Sequence, residues 1–172
     1  MLVLVLRKEL SGSILDIGGG GECIIGRLYR EQVTAIDNRQ EELDEAPSVC
    51  EKILMDATAL KFKTASFDNV TFFFTLMFMQ EEEQRKAIAE AARVLKQGGE
   101  IHIWDCDIAS AYPEPFCVDV EIHMPCEKIK TTYGIGKLDS QNMRSILRMC
   151  TDEGLTLCCQ RSEEYFYLKL QK

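Results

Sequence analysis

The sequence predicts an α/β fold in which a doubly wound, mostly parallel sheet is covered on both faces, and three observations lead to this prediction. Short apolar segments typical of buried strands alternate with amphipathic segments typical of helices, and the joints between them are short. A run of four glycines at positions 18–21 follows the first of these strands directly. After about residue 106 the alternation gives way to prolines and to segments of period two, which indicate antiparallel strands.

The first part of the chain alternates between the two kinds of element. Pro47 ends a charged helix, since proline cannot continue one, and we expect Gln97, Gly98 and Gly99 to cap the longest helix. The predicted order is the end of a helix at 1–10, a strand at 13–17, a helix at 21–30, a strand at 33–37, a helix at 39–46, a strand at 52–56, a very apolar strand at 67–74, a helix at 80–96 and a strand at 100–105.

The second part begins with a predicted β-hairpin at about 117–135, inserted into the α/β plan. Its two arms alternate apolar and polar residues, which predicts one face in water, and Pro125 lies between the arms. A last helix is predicted from Leu138 to Glu153, capped by Asp139 or Ser140 and ended by Gly154. The segments 155–159 and 164–170 then form an antiparallel pair.

The bulk composition limits the classes of protein. With 172 residues, 46% of them hydrophobic, the chain is predicted to form one domain over 1–172. A net charge of −8 makes nucleic acid an unfavourable partner, because phosphate contacts need clustered Lys and Arg. The apolar segment 1–6 is shorter than a signal core or a membrane span, so we expect a cytoplasmic protein without membrane attachment. The eight cysteines are expected to be reduced, and without a Cys-x-x-Cys pair we predict no metal site.

The glycine-rich segment is the centre of the predicted site. A buried strand that contains Asp16 runs into the glycines at 18–21, and a helix follows. Glycine has no Cβ, so a loop of this kind lets a ligand touch the main chain. The unpaired N–H groups at the start of a helix favour a phosphate or a carboxylate. We therefore expect a ligand at the end of the first strand of the sheet.

Several motifs in a fixed order make the chain resemble the class I S-adenosylmethionine-dependent methyltransferases. The resemblance extends from about Ser13 to Gly99, and its most specific part is the string that ends at Gly99, with Gln97 where the family usually has proline. The motifs are Leu15-Asp16-Ile17-Gly18-Gly19-Gly20, Asp37 closing the second strand, Asp56-Ala57 closing the third, Phe67-Asp68-Asn69-Val70 opening the fourth, and Arg93-Val94-Leu95-Lys96-Gln97-Gly98-Gly99 before the fifth.

The resemblance implies a fold, a reaction and a cofactor. The fold is a seven-stranded sheet in the order 3-2-1-4-5-7-6, with strand seven antiparallel between strands five and six. The reaction is the transfer of a methyl group from S-adenosylmethionine, which lies across the carboxyl ends of strands one to four, where open α/β sheets bind ligands. The cofactor-binding residues implied are Asp16, Gly18, Gly19, Gly20, Asp37, Asn38, Asp56, Ala57, Phe74 and Thr75.

Within this resemblance each acid has a physical role. Asp16 would hold the ammonium group, and Asp37 would accept hydrogen bonds from both ribose hydroxyls. Asp56 would accept from the adenine amino group, although a turn explains this residue equally well. Phe74 and Thr75 would contact the amino-acid end of the cofactor, where the acceptor approaches. Because the sulfonium already activates the methyl group, the protein has only to align the reactants and exclude water, and we predict no catalytic residue.

The chain departs from the family's pattern around the site. Glu22 stands where many relatives carry a third glycine, and Asn38 stands where an apolar residue often packs on adenine. Few residues precede the first strand, where many relatives have capping helices. We therefore expect a lid, either from the hairpin at 117–135 or from a second subunit of a homodimer that uses the segment 1–6. His123 and Tyr133 on the hairpin are the candidate substrate-side pair, unless they belong to a solvated face.

Three functions remain open. Methyl transfer to a small molecule is favoured over a nucleic acid by the acidic charge, and because Phe74-Thr75-Leu76 lacks the Asn-Pro-Pro-Tyr-like string of base-amine methylation. A small molecule is also favoured over a protein acceptor. An NAD-dependent oxidoreductase would use the same glycines and Asp37, but it would need a third glycine where Cys23 stands. The third function is a non-catalytic binding or scaffold subunit with the same fold.

Overall fold

The computed structural model describes residues 1–109, 112–137 and 139–172. Two single turns of 3-10 helix, Arg30–Gln32 and Leu76–Phe78, accompany the regular elements. The helices are α1 (Ile24–Tyr29), α2 (Gln40–Glu45), α3 (Glu81–Val94) and α4 (Met143–Asp152). The strands are β1 (Leu2–Val5), β2 (Ile14–Ile17), β3 (Val33–Asp37), β4 (Glu51–Leu54), β5 (Phe67–Phe73), β6 (Leu95–Asp105), β7 (Phe116–His123), β8 (Lys128–Ile135), β9 (Thr156–Ser162) and β10 (Phe166–Gln171).

Seven strands form the central sheet, in the order β4-β3-β2-β5-β6-β10-β9. The first five are parallel to one another, and β10 is antiparallel to both of its neighbours, β6 and β9. This is the strand order that the resemblance implied, and the α/β fold class is confirmed. The direction of winding reverses between β2 and β5, so loops after these strands diverge and leave a crevice at their carboxyl ends.

The two faces of the central sheet are covered in different ways. On one face α3 and α4 pack their apolar sides over residues such as Leu15 and Val70, which are fully buried. On the other face α1 packs beside the small sheet β1-β7-β8, over Ile14 and Ala35. All four residues of β2 are buried, as expected of a parallel strand covered on both sides. No helix among the described residues has the length and apolar content needed to cross a membrane.

The N-terminal segment is a strand, and the prediction of a helix end at 1–10 was wrong. β1 pairs in parallel with β7, and β7 pairs antiparallel with β8, so the predicted hairpin is the larger part of a three-stranded sheet. Leu2 and Leu4 are buried while Val3 and Val5 are exposed, which is the period of a strand with one covered face. Six apolar residues are too few for the sequence pattern to distinguish this period from a helical one.

Two predicted helix boundaries were also wrong. Helix α3 ends at Val94, and Leu95 already pairs with Phe67, so the glycines at 98 and 99 turn the chain within β6 instead of capping the helix. Helix α4 is capped by Asn142, whose side chain accepts a hydrogen bond from the Ser145 N–H at 2.9 Å, and not by Asp139 or Ser140.

The cap of α4 lies later than predicted because the chain is still extended at Gln141, which forms an isolated bridge with Ile108. Leu138, where the helix was predicted to begin, lies outside the described residues. Gly154 follows the end of α4 with a φ of +78°, as expected of a glycine that ends a helix.

Candidate functional site

A cavity of about 580 Å³ opens at the carboxyl ends of the parallel strands. Its walls come from the glycine loop after β2, the ends of β3 and β5, the segment after β4, and the hairpin strand β8. All ten residues that the sequence predicted as cofactor-binding line this one cavity; they are Asp16, Gly18, Gly19, Gly20, Asp37, Asn38, Asp56, Ala57, Phe74 and Thr75. Their assigned roles in binding stay predictions.

The glycine loop passes between neighbours that leave no room for side chains. The N–H groups of Gly18 and Gly19 both donate to the Ile36 carbonyl, at 2.8 and 3.0 Å, which ties the loop to β3. Gly18 has a φ of +76°, and a Cβ there would lie 2.3 Å from Thr75 Cγ2. A Cβ at Gly20 would lie 2.5 Å from the Glu42 Cβ. Packing against Thr75 and Glu42 therefore requires glycine at these two positions, and the loop itself lines the cavity.

Asp16 is a buried carboxyl at the inner wall of the cavity, with 2% of its surface exposed. Its Oδ1 accepts a hydrogen bond from the Thr71 hydroxyl at 2.6 Å. Burial, with a smaller contribution from the charges of Cys50 and Asp37, raises the pKa of Asp16 to about 7, although the hydrogen bond from Thr71 opposes the shift. A cation that entered the cavity would favour the ionised form, so the site is suited to an ammonium group.

Asp37 and Asp56, which lie at or after the carboxyl ends of β3 and β4, also line the cavity and accept hydrogen bonds through Oδ1. Oδ1 of Asp37 accepts from the Arg39 N–H at 3.0 Å, and Oδ2 lies beside Gly20. Oδ1 of Asp56 accepts from the N–H and the hydroxyl of Thr58, both at 2.8 Å, and these bonds lower its pKa. In both carboxylates, Oδ1 is the oxygen that accepts hydrogen bonds from the described part of the chain, and Oδ2 accepts none from it. Asp56 is thus a turn residue in addition to a lining residue, as its position allowed.

The hairpin β7-β8 of the same chain forms one wall of the cavity. The ring of Tyr133 stacks on the ring of Phe74, with centroids 4.9 Å apart and planes 6° apart. The Thr131 hydroxyl donates to the Glu22 carboxylate beside the glycine loop. Of the candidate substrate-side pair, Tyr133 lines the cavity, whereas the His123 ring nitrogen lies 2.6 Å from a Glu121 oxygen on the hairpin itself.

Phe74 holds an unusual backbone conformation at the end of β5. Its φ is +50°, a value that non-glycine residues adopt rarely, and its N–H donates to the Trp104 carbonyl at 2.8 Å. Such strain concentrates at functional sites, where it sets the direction of a side chain. Here it places the buried Phe74 ring between Phe73 and Tyr133 at the cavity wall.

Sequence reasoning missed several lining residues because only the folded chain brings them to the site. Glu42 on α2 packs against Gly20, and its carbonyl accepts from the Gly21 N–H at 2.9 Å. Phe78 and Met79 reach the cavity from the segment that joins β5 to α3, and Glu83 reaches it from the first turn of α3. The charged side chains in the lining are six carboxylates and Arg39, which pairs with Glu42 at 3.1 Å; the carboxylates are Asp16, Glu22, Asp37, Glu42, Asp56 and Glu83. Among the described residues no three His, Cys, Asp or Glu side chains are grouped to hold a metal ion.

Comparison with known proteins identifies relatives of this chain. Residues 15–103 match the family described as Methyltransferase domain. The phosphatidylethanolamine N-methyltransferase of Cereibacter sphaeroides is 32% identical over 102 residues, which cover 54% of this chain and 49% of that protein. The chain therefore spans about half the length of this curated relative.

Solved structures share the fold over nearly the whole chain. An S-adenosylmethionine-dependent methyltransferase from Methanosarcina mazei matches with a TM-score of 0.69 and 19% identity, covering 95% of this chain and 94% of the other. One from Mesorhizobium loti has a TM-score of 0.68 and 12% identity, covering 95% and 93%. The glycopeptide N-methyltransferase MtfA, in complex with S-adenosyl-L-homocysteine, has a TM-score of 0.61 and 15% identity, covering 95% and 84%. At these identities the likeness shows the fold alone.

Proposed function

The chain belongs to the methyltransferase domain family, and from this premise we propose that it transfers the methyl group of S-adenosylmethionine to a small-molecule acceptor. One observation carries the proposal: the glycine loop and three aspartates from the ends of neighbouring strands line a single cavity. The NAD-dependent oxidoreductase and the non-catalytic scaffold are not favoured by the family match.

The cavity fits the cofactor on physical grounds. Gly18 and Gly20 line the cavity in a loop that fits closely between Thr75 and Glu42, where the methionine part can approach main-chain atoms. The buried Asp16 carboxyl, with its raised pKa, suits the ammonium group. Asp37 Oδ2 can accept from the ribose hydroxyls. The remaining proposed contacts are Asp56, Ala57 and Asn38 with the adenine, and Gly19, Phe74 and Thr75 with the amino-acid end.

The protein's part in the reaction is to orient the reactants and exclude water. When bound, S-adenosylmethionine supplies an activated methyl group on a positively charged sulfur. Phe74 and Tyr133 close one wall of the cavity with stacked rings, and Phe78 and Met79 add apolar surface from the neighbouring segment. These walls keep water from the space in which acceptor and methyl group must align. The chemistry needs no general base, and we propose no catalytic residue.

The charge of the lining supports a neutral or cationic acceptor. Six carboxylate side chains line the cavity of the described chain, against the single cation Arg39, which is already paired with Glu42. An anionic acceptor would meet this negative potential and be repelled. The relative from Cereibacter sphaeroides is a phosphatidylethanolamine N-methyltransferase, which agrees with an amine as the methylated group. The homodimer and the cytoplasmic location stay predictions, which sedimentation and fractionation would test.

Calorimetry with three ligands tests the cofactor. We expect S-adenosylmethionine and S-adenosylhomocysteine each to bind with a stoichiometry of one, and NAD not to bind. Binding of NAD alone would identify an oxidoreductase. A folded protein, judged by circular dichroism, that binds none of the three would identify a scaffold.

A matched pair of acceptors tests the acceptor class. Transfer of isotope-labelled methyl from S-adenosylmethionine would be compared for a small primary amine and for the same amine carrying a phosphate group. We expect the unphosphorylated amine to be the better acceptor by at least tenfold in kcat/KM, because the phosphate would face the acidic lining. Equal rates would show that the lining does not select on charge.

A further inference from the structure

Two cysteines from distant parts of the chain meet behind the glycine loop. The Sγ atoms of Cys23 and Cys50 are 3.6 Å apart, although 27 residues separate them in the sequence. Cys23 is 2% exposed and Cys50 is half-buried, so the second sulfur is the more accessible one. Both are free thiols. The pair is thus a contact that only the folded chain creates and that no sequence motif predicts.

The glycine at position 26 is what allows the two sulfurs to approach. A Cβ at Gly26 would lie 2.3 Å from the Cys23 sulfur and 2.7 Å from the Cys50 sulfur. Glycine is otherwise an unfavourable residue inside a helix compared with alanine. Its presence within α1 is explained by the space that the thiol pair occupies.

Cys23 connects this pair to the cofactor cavity. It lines the cavity directly after Glu22 and has a left-handed backbone, with a φ of 51°. Its N–H donates to the Gly20 carbonyl at 3.1 Å, and its own carbonyl accepts from the Arg27 N–H at 2.8 Å. A displacement of Cys23 would therefore move both the glycine loop and the first turn of α1.

The two thiols differ in reactivity. Either thiol can be the donor in the contact between the two sulfurs. This contact, together with the positive charge of Lys52, lowers the pKa of Cys50 to about 7 in spite of burial. The same contact, followed by burial, raises the pKa of Cys23. Cys50 is therefore the nucleophilic thiolate near neutral pH, and Cys23 is a protonated thiol held within reach of it.

We propose that Cys23 and Cys50 form a reversible disulfide, and that this modification weakens cofactor binding. With a peroxide as oxidant, the Cys50 thiolate attacks one oxygen, the O–O bond breaks, and the departing hydroxide is protonated to water. The sulfur of Cys23 then attacks the resulting sulfenic acid, the S–O bond breaks, and the Cys23 proton leaves with the hydroxyl group as a second water. Two thiols lose two electrons in total, and one peroxide is reduced to two waters.

The effect on the cavity follows from the distance that the sulfurs must close. A disulfide bond is about 2.05 Å long, so the contact of 3.6 Å has to shorten by about 1.5 Å. Cys50 is anchored next to β4 in the central sheet, whereas Cys23 ends a loop. The loop is therefore the part that moves, away from the cavity and toward the sheet. This consequence depends on the proposed function, because it assumes that the glycine loop holds the cofactor.

The experiment uses the full-length protein, reduced with dithiothreitol and then exposed to hydrogen peroxide. Peptide mass spectrometry would detect the link between Cys23 and Cys50, and calorimetry would give the affinity for S-adenosylhomocysteine before oxidation, after it, and after reduction again. We expect the linked peptide, a loss of affinity of at least fivefold, and recovery on reduction. Absence of the linked peptide would overturn the proposal, and so would an unchanged affinity of the cross-linked protein.

Variants separate this pair from the other thiols. Cys50→Ser should bind S-adenosylhomocysteine like the reduced wild type and keep that affinity after peroxide, with Cys50→Ala as the second variant should the first fail to fold. Cys158→Ser, which removes an exposed thiol, should lose affinity on oxidation as the wild type does. An equal loss in oxidised Cys50→Ser would place the sensitivity elsewhere. Failure of the reduced wild type to bind would contradict the proposed function, while the linked peptide would still report on the disulfide.

Discussion

Glycine turns lie beside a strand-end aspartate at both ends of the central sheet, Asp16 at the carboxyl end and Asp68 at the amino end. The local packing is similar, since a Cβ at Gly19 would lie 2.4 Å from Asp16 Oδ2 and a Cβ at Gly12 would lie 2.6 Å from Asp68 Oδ2. The hydrogen bonds differ. Asp68 accepts from the N–H and hydroxyl of Ser13, at 2.9 and 2.8 Å, and from the Lys96 ammonium at 2.8 Å.

The different hydrogen bonds of the two acids give them different pKa values. These values indicate that Asp68 has a structural role and that Asp16 is suited to bind a ligand. The Lys96 ammonium, with the Ser13 bonds, lowers the pKa of Asp68 to about 2. Burial raises that of Asp16 to about 7, and the described residues give it one hydrogen bond, from Thr71. An acid whose charge is balanced by its own chain holds two segments together, whereas a buried acid without that balance favours binding of a cation.

The largest effect is expected from adding a methyl group to the glycine loop at the carboxyl end. In Gly20→Ala the new methyl would lie 2.5 Å from the Glu42 Cβ and 2.8 Å from Asp37 Oδ2, so the loop must shift. We expect calorimetry to show S-adenosylhomocysteine binding at least thirtyfold weaker, about 2 kcal/mol. The matched control at the amino end is Gly98→Ala, where a Cβ meets nothing within 4 Å but the φ of +78° strains an alanine, so it should lower stability and leave the affinity unchanged. Equal losses in both variants would mean that the two ends do not differ in function.

Removal of a carboxylate at the carboxyl end is the next largest change. Asp37→Ala should weaken cofactor binding by at least tenfold, about 1.4 kcal/mol, because the ribose hydroxyls lose their acceptor. Asp44→Ala removes the same charge from the exposed side of α2, where Asp44 accepts from the Gln40 side chain, and should leave the affinity unchanged. A similar affinity in Asp37→Ala and wild type would show that the ribose lies elsewhere.

The pH dependence of binding tests Asp16 itself. Since its pKa in the free protein is about 7, the carboxyl is protonated below that pH, and an ammonium group must displace the proton. Affinity for S-adenosylhomocysteine should therefore rise close to tenfold from pH 5 to pH 6 and level off above about pH 7. The stability of the free protein should change in the opposite sense. Its folded state holds more protons than the unfolded chain, so the free energy of unfolding falls as pH rises from about 4 to 7.

Two variants make the pH profile specific. Asp16→Asn should remove the rise in affinity with pH. Asp105→Asn should keep it, although burial raises the pKa of Asp105 to about 6, because Asp105 bonds to Met77 and Gln141 and is not among the cavity residues. A rise that persists in Asp16→Asn would assign the titration to another group.

Local patterns predicted the central sheet and the acids at its edge well, because each depends on residues close in sequence. A buried strand that ends in an aspartate, as at Asp37, can be recognised from a few neighbouring positions. The strand order was implied by the resemblance to the methyltransferases. The strand β1 could not be predicted, since its partner β7 is far along the chain and its own pattern is short. Asn142 was missed as a cap because the bridge between Gln141 and Ile108 keeps the chain extended.

Contacts inside the candidate site were harder to predict than its residues. The packing of Glu42 on Gly20, the stacking of Tyr133 on Phe74 and the meeting of Cys23 with Cys50 all join separate elements. None of these pairs has a fixed spacing in the sequence. Gly26 carried a signal, since glycine inside a helix usually has a packing reason, but the sequence alone did not identify the two sulfurs as that reason.

The smallest effect is expected at the amino end, where the acid is structural. Asp68→Asn removes the charge that Lys96 and Ser13 stabilise, and because the side chain is partly exposed and solvent screens it, we expect a loss of about 1 kcal/mol in the free energy of unfolding near pH 7. A carboxyl with a lowered pKa stabilises the fold above about pH 4, so the difference between variant and wild type in urea denaturation should shrink as pH falls toward 2. Affinity for S-adenosylhomocysteine should stay within twofold of wild type. A larger change in affinity would make Asp68 part of the binding site, and the contrast between the two ends of the sheet would no longer hold.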